Sequence, residues 1–208
     1  MRGTARHTCL AALVAGLLAT GTAGCAPDGG GGREDRAGTC AEGTYTWSGV
    51  RREQRLTALS DPIRFTEEPD TYSLRLEAVG DTVYRPSVTG TPRGTDAAGV
   101  IKELGRHLKT EGPLAGPSRT ERPAEDHFVE YRNGLGRGAY YAWAQLDLVD
   151  ADFTRTCGDG EPARGHVRTW EGSGAALLPC SAEPPDEAAG RIAAQRRCPA
   201  GSEAAEGA

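Results

Sequence analysis

An α+β domain built mainly of antiparallel β-sheet, with one amphipathic helix, a short C-terminal helix and two disulfides, is what this sequence predicts. Three observations carry that expectation. Apolar and polar residues alternate over several short runs separated by Gly, Asn and Asp, as half-buried strands require. One stretch, Ala97 to Leu108, switches to apolar spacings of three and four. Of 6 cysteines, Cys40, Cys157, Cys180 and Cys198 are spread through the domain with no C-x-x-C pair, which suits disulfides and not a zinc site.

The elements follow in order. Thr44–Ser48 sets Tyr45 and Trp47 on one face and hydroxyls on the other, and Leu56–Leu59 and Ile63–Phe65 are shorter strand candidates. Tyr72–Ala78 alternates, and Gly80-Asp81 before Thr82–Arg85 predicts a hairpin. In the helix, Thr95 is the expected cap, Val100, Ile101, Leu104 and Leu108 form the apolar stripe, and Gly112-Pro113 stops the chain. His127–Arg132 is a further strand, and Asn133–Gly138 the loop into the longest one, Ala139–Val149. There Tyr140, Ala142, Ala144, Leu146 and Leu148 share a face. Tyr141 and Trp143 lie opposite, a stripe for a ligand if nothing packs over it. His166–Trp170 and Ala175–Leu178 read as a last hairpin around Glu171–Gly174. A helix over 185–197 would bury Ala188, Ala189, Ile192 and Ala193. The resulting boundaries are 1–24 signal, 25–39 tether, 40–199 domain and 200–208 disordered tail.

The N-terminus speaks of location. Arg2 and Arg6 precede the apolar run Cys9–Ala19, which is shorter than the roughly 20 residues a spanning helix needs. A basic start, a short apolar core and small residues at its exit describe a secretory signal peptide. Thr22-Ala23-Gly24-Cys25 then resembles the lipobox of bacterial lipoproteins, with Thr22 where that pattern usually has an aliphatic residue. The resemblance implies diacylglycerol on the Cys25 sulfur, cleavage just before it, and residence at the outer face of the cytoplasmic membrane. An ordinary signal peptide cut near Ala23 or Ala26 is the competing reading, but it leaves Cys25 without a reason. Ala26–Thr39 is rich in Gly and charge and lacks any large apolar residue, so it is expected to act as a tether of roughly 20 Å. Through these N-terminal features and its cysteine pattern, the chain resembles the small secreted lipoproteins of Streptomyces-like actinomycetes.

The net charge of −5 argues against a nucleic-acid partner. Membrane lipid through Cys25 is the only partner the sequence names, and it names no cofactor, metal site or catalytic residue. Gly134–Gly138 spaces its glycines wrongly for G-x-G-x-x-G and suits a hairpin loop. Asp150, Asp152 and Glu161 match acidic positions of a calcium loop, but Arg155 stands where that loop needs glycine. His107, His127 and His166 match no catalytic motif, and surface positions account for them. The expected function is a lipid-anchored binding or structural domain. The alternative is a cell-envelope hydrolase with a dispersed site such as Ser173, His166 and Asp147. Of the three possible disulfide pairings, a meander through the last strands disfavours Cys157–Cys180, which would lie two strands apart. If the helix after Pro184-Pro185 returns toward Cys180, Cys180–Cys198 with Cys40–Cys157 is favoured over Cys40–Cys180 with Cys157–Cys198.

Overall fold

The longest alternating stretch becomes the spine of the molecule. The computed structural model describes residues 43–92, 94–122, 128–132 and 134–208, with the backbone alone for Phe128, Val129 and Arg132. In chain order the elements are β1 (Thr44–Leu59), β2 (Ile63–Phe65), β3 (Thr71–Arg75), β4 (Glu77–Ala78), β5 (Ser87–Thr89), α1 (Ala97–Leu108), β6 (Phe128–Arg132), β7 (Gly138–Thr156), β8 (Ala163–Pro179), α2 (Ala188–Arg197) and α3 (Glu203–Glu206). A 6-stranded antiparallel sheet runs β4-β1-β7-β8-β5, with β2 also on β7, while β3 and β6 form a separate 2-stranded sheet. Predominantly antiparallel sheet with few helices is thus the architecture.

β7 and β8 pair from Arg155↔Ala163 to Tyr140↔Pro179, and β1 lines the other side of β7 from Thr44↔Thr156 to Leu59↔Trp143. The extra residues at the register shifts fall in β1 and β8, so β7 alternates without interruption. Its two faces therefore stay separate along its whole length. On one face Tyr140, Ala142 and Ala144 pack with Ile63, Leu76 and Leu177 beneath the small sheet, which contributes Tyr72, Leu74 and Tyr131. Further along that face Leu146 and Leu148 meet Trp170 and Tyr84. On the other face Tyr141 and Trp143 are covered by Ala189, Ala193 and Ala194 of α2 and Ala204 of α3. Val149, Ala151 and Phe153 are covered by Val100, Ile101 and Leu104 of α1. The Tyr141–Trp143 stripe is therefore core and no open ligand surface, with exposures of 0% and 3%.

Where the chain leaves the ladder, side chains take over. Ser60 is buried; its N–H donates to the Ala142 carbonyl (2.9 Å) and its hydroxyl oxygen accepts from the Ala142 N–H (3.1 Å). The hydroxyl thus extends β1 by one rung. Ser60→Ala would leave a buried N–H unpaired, and we expect it to lower the unfolding free energy by about 1–3 kcal/mol in urea titrations. An unchanged midpoint would show that water reaches Ala142.

Several expectations are corrected. The helix caps on Asp96, whose carboxylate accepts from the Gly99 N–H at 2.7 Å, one residue after the expected Thr95. Gly80-Asp81 makes no hairpin: β4 returns to β1, and Thr82–Arg85 contributes only a bridge from Tyr84 to Glu121. β5 was not foreseen. Nor does Gly134–Gly138 close a hairpin, because β6 pairs with β3 and β7 with the large sheet. Glu171–Gly174 lies inside continuous β8 and not at a turn, so the expected meander is a single long hairpin. Cys157 and Cys180 still cannot meet, since they lie near opposite ends of that hairpin. α2 buries Ala189, Gly190, Ala193 and Ala194, while Ile192 points outward at 39% exposure. Residues 200–208 are no disordered tail in this structure: the Ala204 N–H donates to the Cys180 carbonyl, and Gln195 donates to the Ala208 carbonyl. Among the described residues no helix is long and apolar enough to cross a membrane.

Candidate functional site

Cys25, Cys40 and His127 lie outside the described residues. Cys180 and Cys198 form a disulfide with Cα atoms 5.5 Å apart, the pairing the sequence favoured. It joins the end of β8 to the end of α2. Two disulfides were expected; among the described residues this is the one pair formed, and Cys157 is not a free thiol.

The most organised polar group lies beyond the apolar part of β7, on the Leu146–Leu148 face. Period-two alternation places Asp150 and Asp152 there, directly opposite Arg168 and His166 of β8. His166 lies between the two carboxylates, Nδ1 at 2.9 Å from Asp152 and Nε2 at 3.1 Å from Asp150. Arg168 Nε donates to Asp150 at 2.9 Å. With both ring nitrogens engaged, His166 has none left to activate a nucleophile. Asp150, its side chain only 10% exposed, is the centre of the group. Burial alone would raise its carboxyl, but hydrogen bonds from Arg168 and His166 outweigh it and hold the group below the ordinary carboxylate range.

A lowered folded-state value means that Asp150 stabilises the fold above the unfolded carboxylate pKa, about 3.9. That contribution is lost as pH falls through the lower folded value. Asp150→Asn should therefore be less stable than the parent at neutral pH, with the gap closing toward pH 2. Urea midpoints measured across that range check this; parallel acid limbs would show that Asp150 is not the linked group.

The other candidates do not assemble. Ser173 opposes Leu146 and His166 opposes Asp152 on the same strand, roughly 20 Å apart, and Asp147 belongs to the opposite face of β7. The Ser173–His166–Asp147 combination is therefore not a site. Asp150 and Asp152 belong to a strand that continues to Thr156, so no calcium loop forms around them. His107 is exposed on α1 and stacks on Trp47, with centroids 6.1 Å apart. Sequence reasoning treated the aspartates as a loop and the histidine singly. The missed signal was Asp-x-Asp in one strand and His-x-Arg in the next, both with period two.

Concavities are shallow. An open groove of about 460 Å³ runs beside α1, with Ile101 and Leu114 at its floor and Lys102, Arg106 and Lys109 at its rim. Arg106 is paired with Glu103, and Arg106 in the last turn and Lys109 at the C-cap offset the helix dipole, so these two cations have a local structural role. Comparison with protein-family models, curated proteins and solved structures found no match to this chain.

Proposed function

We propose that this chain is an exported, lipid-anchored domain on the outer face of the cytoplasmic membrane, serving as a small binding or structural module. The observation that carries the reading is the Cys180–Cys198 disulfide, because such bonds form and persist in oxidising compartments outside the cytosol. The basic start, the short apolar run and the lipobox-like Thr22–Cys25 supply the route and the anchor. Two or more acyl chains on Cys25 hold stably where one does not, each buried methylene adding about 0.8 kcal/mol. Cys40 pairs with Cys157 in this reading and ties the start of the domain to the end of β7. The module reading, as opposed to the hydrolase, is supported by the described histidines: one stacks on Trp47 and the other is held between two carboxylates.

Cys25→Ala is expected to move the protein from the membrane fraction to the medium, or to leave it unprocessed, while the parent sediments with membranes. Mass spectrometry of the parent's mature N-terminus should find Cys25 first and acylated. An unmodified terminus elsewhere refutes the anchor. Non-reducing peptide mapping tests the second bridge, and any fragment joining Cys157 to a residue other than Cys40 rejects it.

A further inference from the structure

The outer edges of the large sheet are treated differently. Among the described residues no strand pairs with the outer side of β1 along much of its length, but Arg51, Arg52, Glu53 and Arg55 stud that stretch and an extra residue between Ser48 and Arg51 kinks it. Charges and bulges of this kind discourage edge pairing. On β8, β5 covers His166 to Arg168, and the Ala115 N–H donates to the Trp170 carbonyl at 2.9 Å. Farther on, the Tyr131 hydroxyl donates to the Leu177 carbonyl at 3.1 Å. Between these contacts lie Gly172, Ser173, Gly174, Ala175 and Ala176, beside which no strand pairs among the described residues. Ser173, Gly174 and Ala175 are exposed, and the segment carries neither charge nor proline.

The ladder decides which backbone groups face outward. Ala142 spends its N–H and C=O on Ser60, on the β1 side of β7. In an antiparallel pair, opposed residues either exchange both bonds or both face away. Leu177, opposite Ala142, therefore points its groups away from β7, as its bond from Tyr131 independently requires. Ala175 and Ser173, opposite Ala144 and Leu146, do the same. The open edge thus presents an N–H and a C=O from each of these two residues.

We propose that this edge pairs with the same edge of a second copy of the chain, antiparallel about a two-fold axis at Gly174, so that the large sheet continues across the dimer. In that register Ser173 opposes Ala175 of the other copy and exchanges both bonds with it, and the symmetric pair does likewise. The outward N–H and C=O of both Ser173 and Ala175 are used. Gly174 opposes Gly174 in a non-hydrogen-bonded pair, where Cα atoms approach to about 4.5 Å. Small uncharged side chains on both strands impose neither bulk nor repulsion. A contact this short falls below the roughly 1,000 Å² expected of a stable interface, so the dimer is weak in dilute solution. Confinement of copies on a membrane would raise its population, an effect that depends on the anchor proposed above; the contact itself does not.

Covalent trapping tests the register and works for a weak dimer. Single cysteines are placed in the full chain carrying Cys25→Ala, so that the result is independent of lipidation. A Cβ added at Gly174 meets nothing within 4 Å. Under mild oxidation Gly174→Cys should accumulate a covalent dimer on non-reducing gels. Ser173→Cys should remain monomeric, because its Cα lies about 8 Å from its counterpart, beyond the roughly 7 Å a disulfide spans. Ala175→Pro, which removes an outward N–H and no bond to β7, should abolish trapping when added to Gly174→Cys. Equal trapping at both positions, faster trapping at Ser173, or no trapping at either overturns the proposal. If Ala175→Pro disturbs folding, the comparison of the two single cysteines still decides.

Discussion

Gly190→Val is expected to destabilise the domain by about 3 kcal/mol or more, above the ordinary range for overpacking. A Cβ at this position would lie 2.4 Å from Pro185 Cγ and 2.7 Å from Trp143 Cζ2. Neither neighbour can retreat easily. Pro185 is a ring fixed to the backbone, and Trp143 is stacked on Tyr141 with its indole N–H donating to Gln145 at 3.0 Å. Helix propensity opposes this result, since glycine inside a helix costs about 1 kcal/mol relative to alanine. That gain is smaller than the clash, and valine realises less of it than alanine. Thermal melts followed by tryptophan fluorescence would measure the loss. A parental midpoint would mean that α2 can shift off Trp143 without penalty.

Removing the Cys180–Cys198 bridge, as Cys180→Ala with Cys198→Ala, is the second large effect. The bonded residues are 18 apart in sequence, and a loop of about that length contributes roughly 3 kcal/mol by restricting the unfolded chain. For a domain of this size that corresponds to a fall in Tm of about 6–12 °C. Beyond its packing on Tyr141 and Trp143, the start of α2 is weakly held. Its N-cap residue Glu187 makes no side-chain cap bond, its buried face is glycine and alanine, and the Ala188 N–H borrows Gln54 from β1. Gly190→Val and bridge removal should consequently be sub-additive, because each releases the same helix. Calorimetry of the single, double and triple variants would show it. Full additivity would indicate that the bridge acts somewhere other than on α2.

Much of the architecture was legible wherever one physical pattern acted alone. The even-numbered face of β7 and the stripe Val100–Ile101–Leu104 were read correctly because burial enforces a period of two or of about 3.6. Reading failed where local chemistry and tertiary context disagreed. Glu171-Gly172-Ser173-Gly174 has the composition of a turn, yet β8 continues through it along β7, with Glu171 and Gly172 taken up in a bulge. Ile192 is the largest apolar residue of α2, but Trp143 leaves room only for small ones, so the helix turns its alanines inward. The polar group around Asp150 was invisible for a different reason. Its members belong to two strands, and only their register brings His166 between the carboxylates.

Every hydrophobic cluster among the described residues contains residues of β7, and β7 begins at Gly138. This has a consequence for timing. The ribosome delivers a chain from its N-terminus, so β1, α1 and the strand β3 arrive before the strand against which they, or the sheet they build, must pack. Until about two thirds of the polypeptide has emerged, no segment has a core to join. For an exported chain, as proposed above, that order suits a translocation channel, which passes unfolded polypeptide. Stable folding is therefore expected only after the central strand, and then β8 and α2, have arrived.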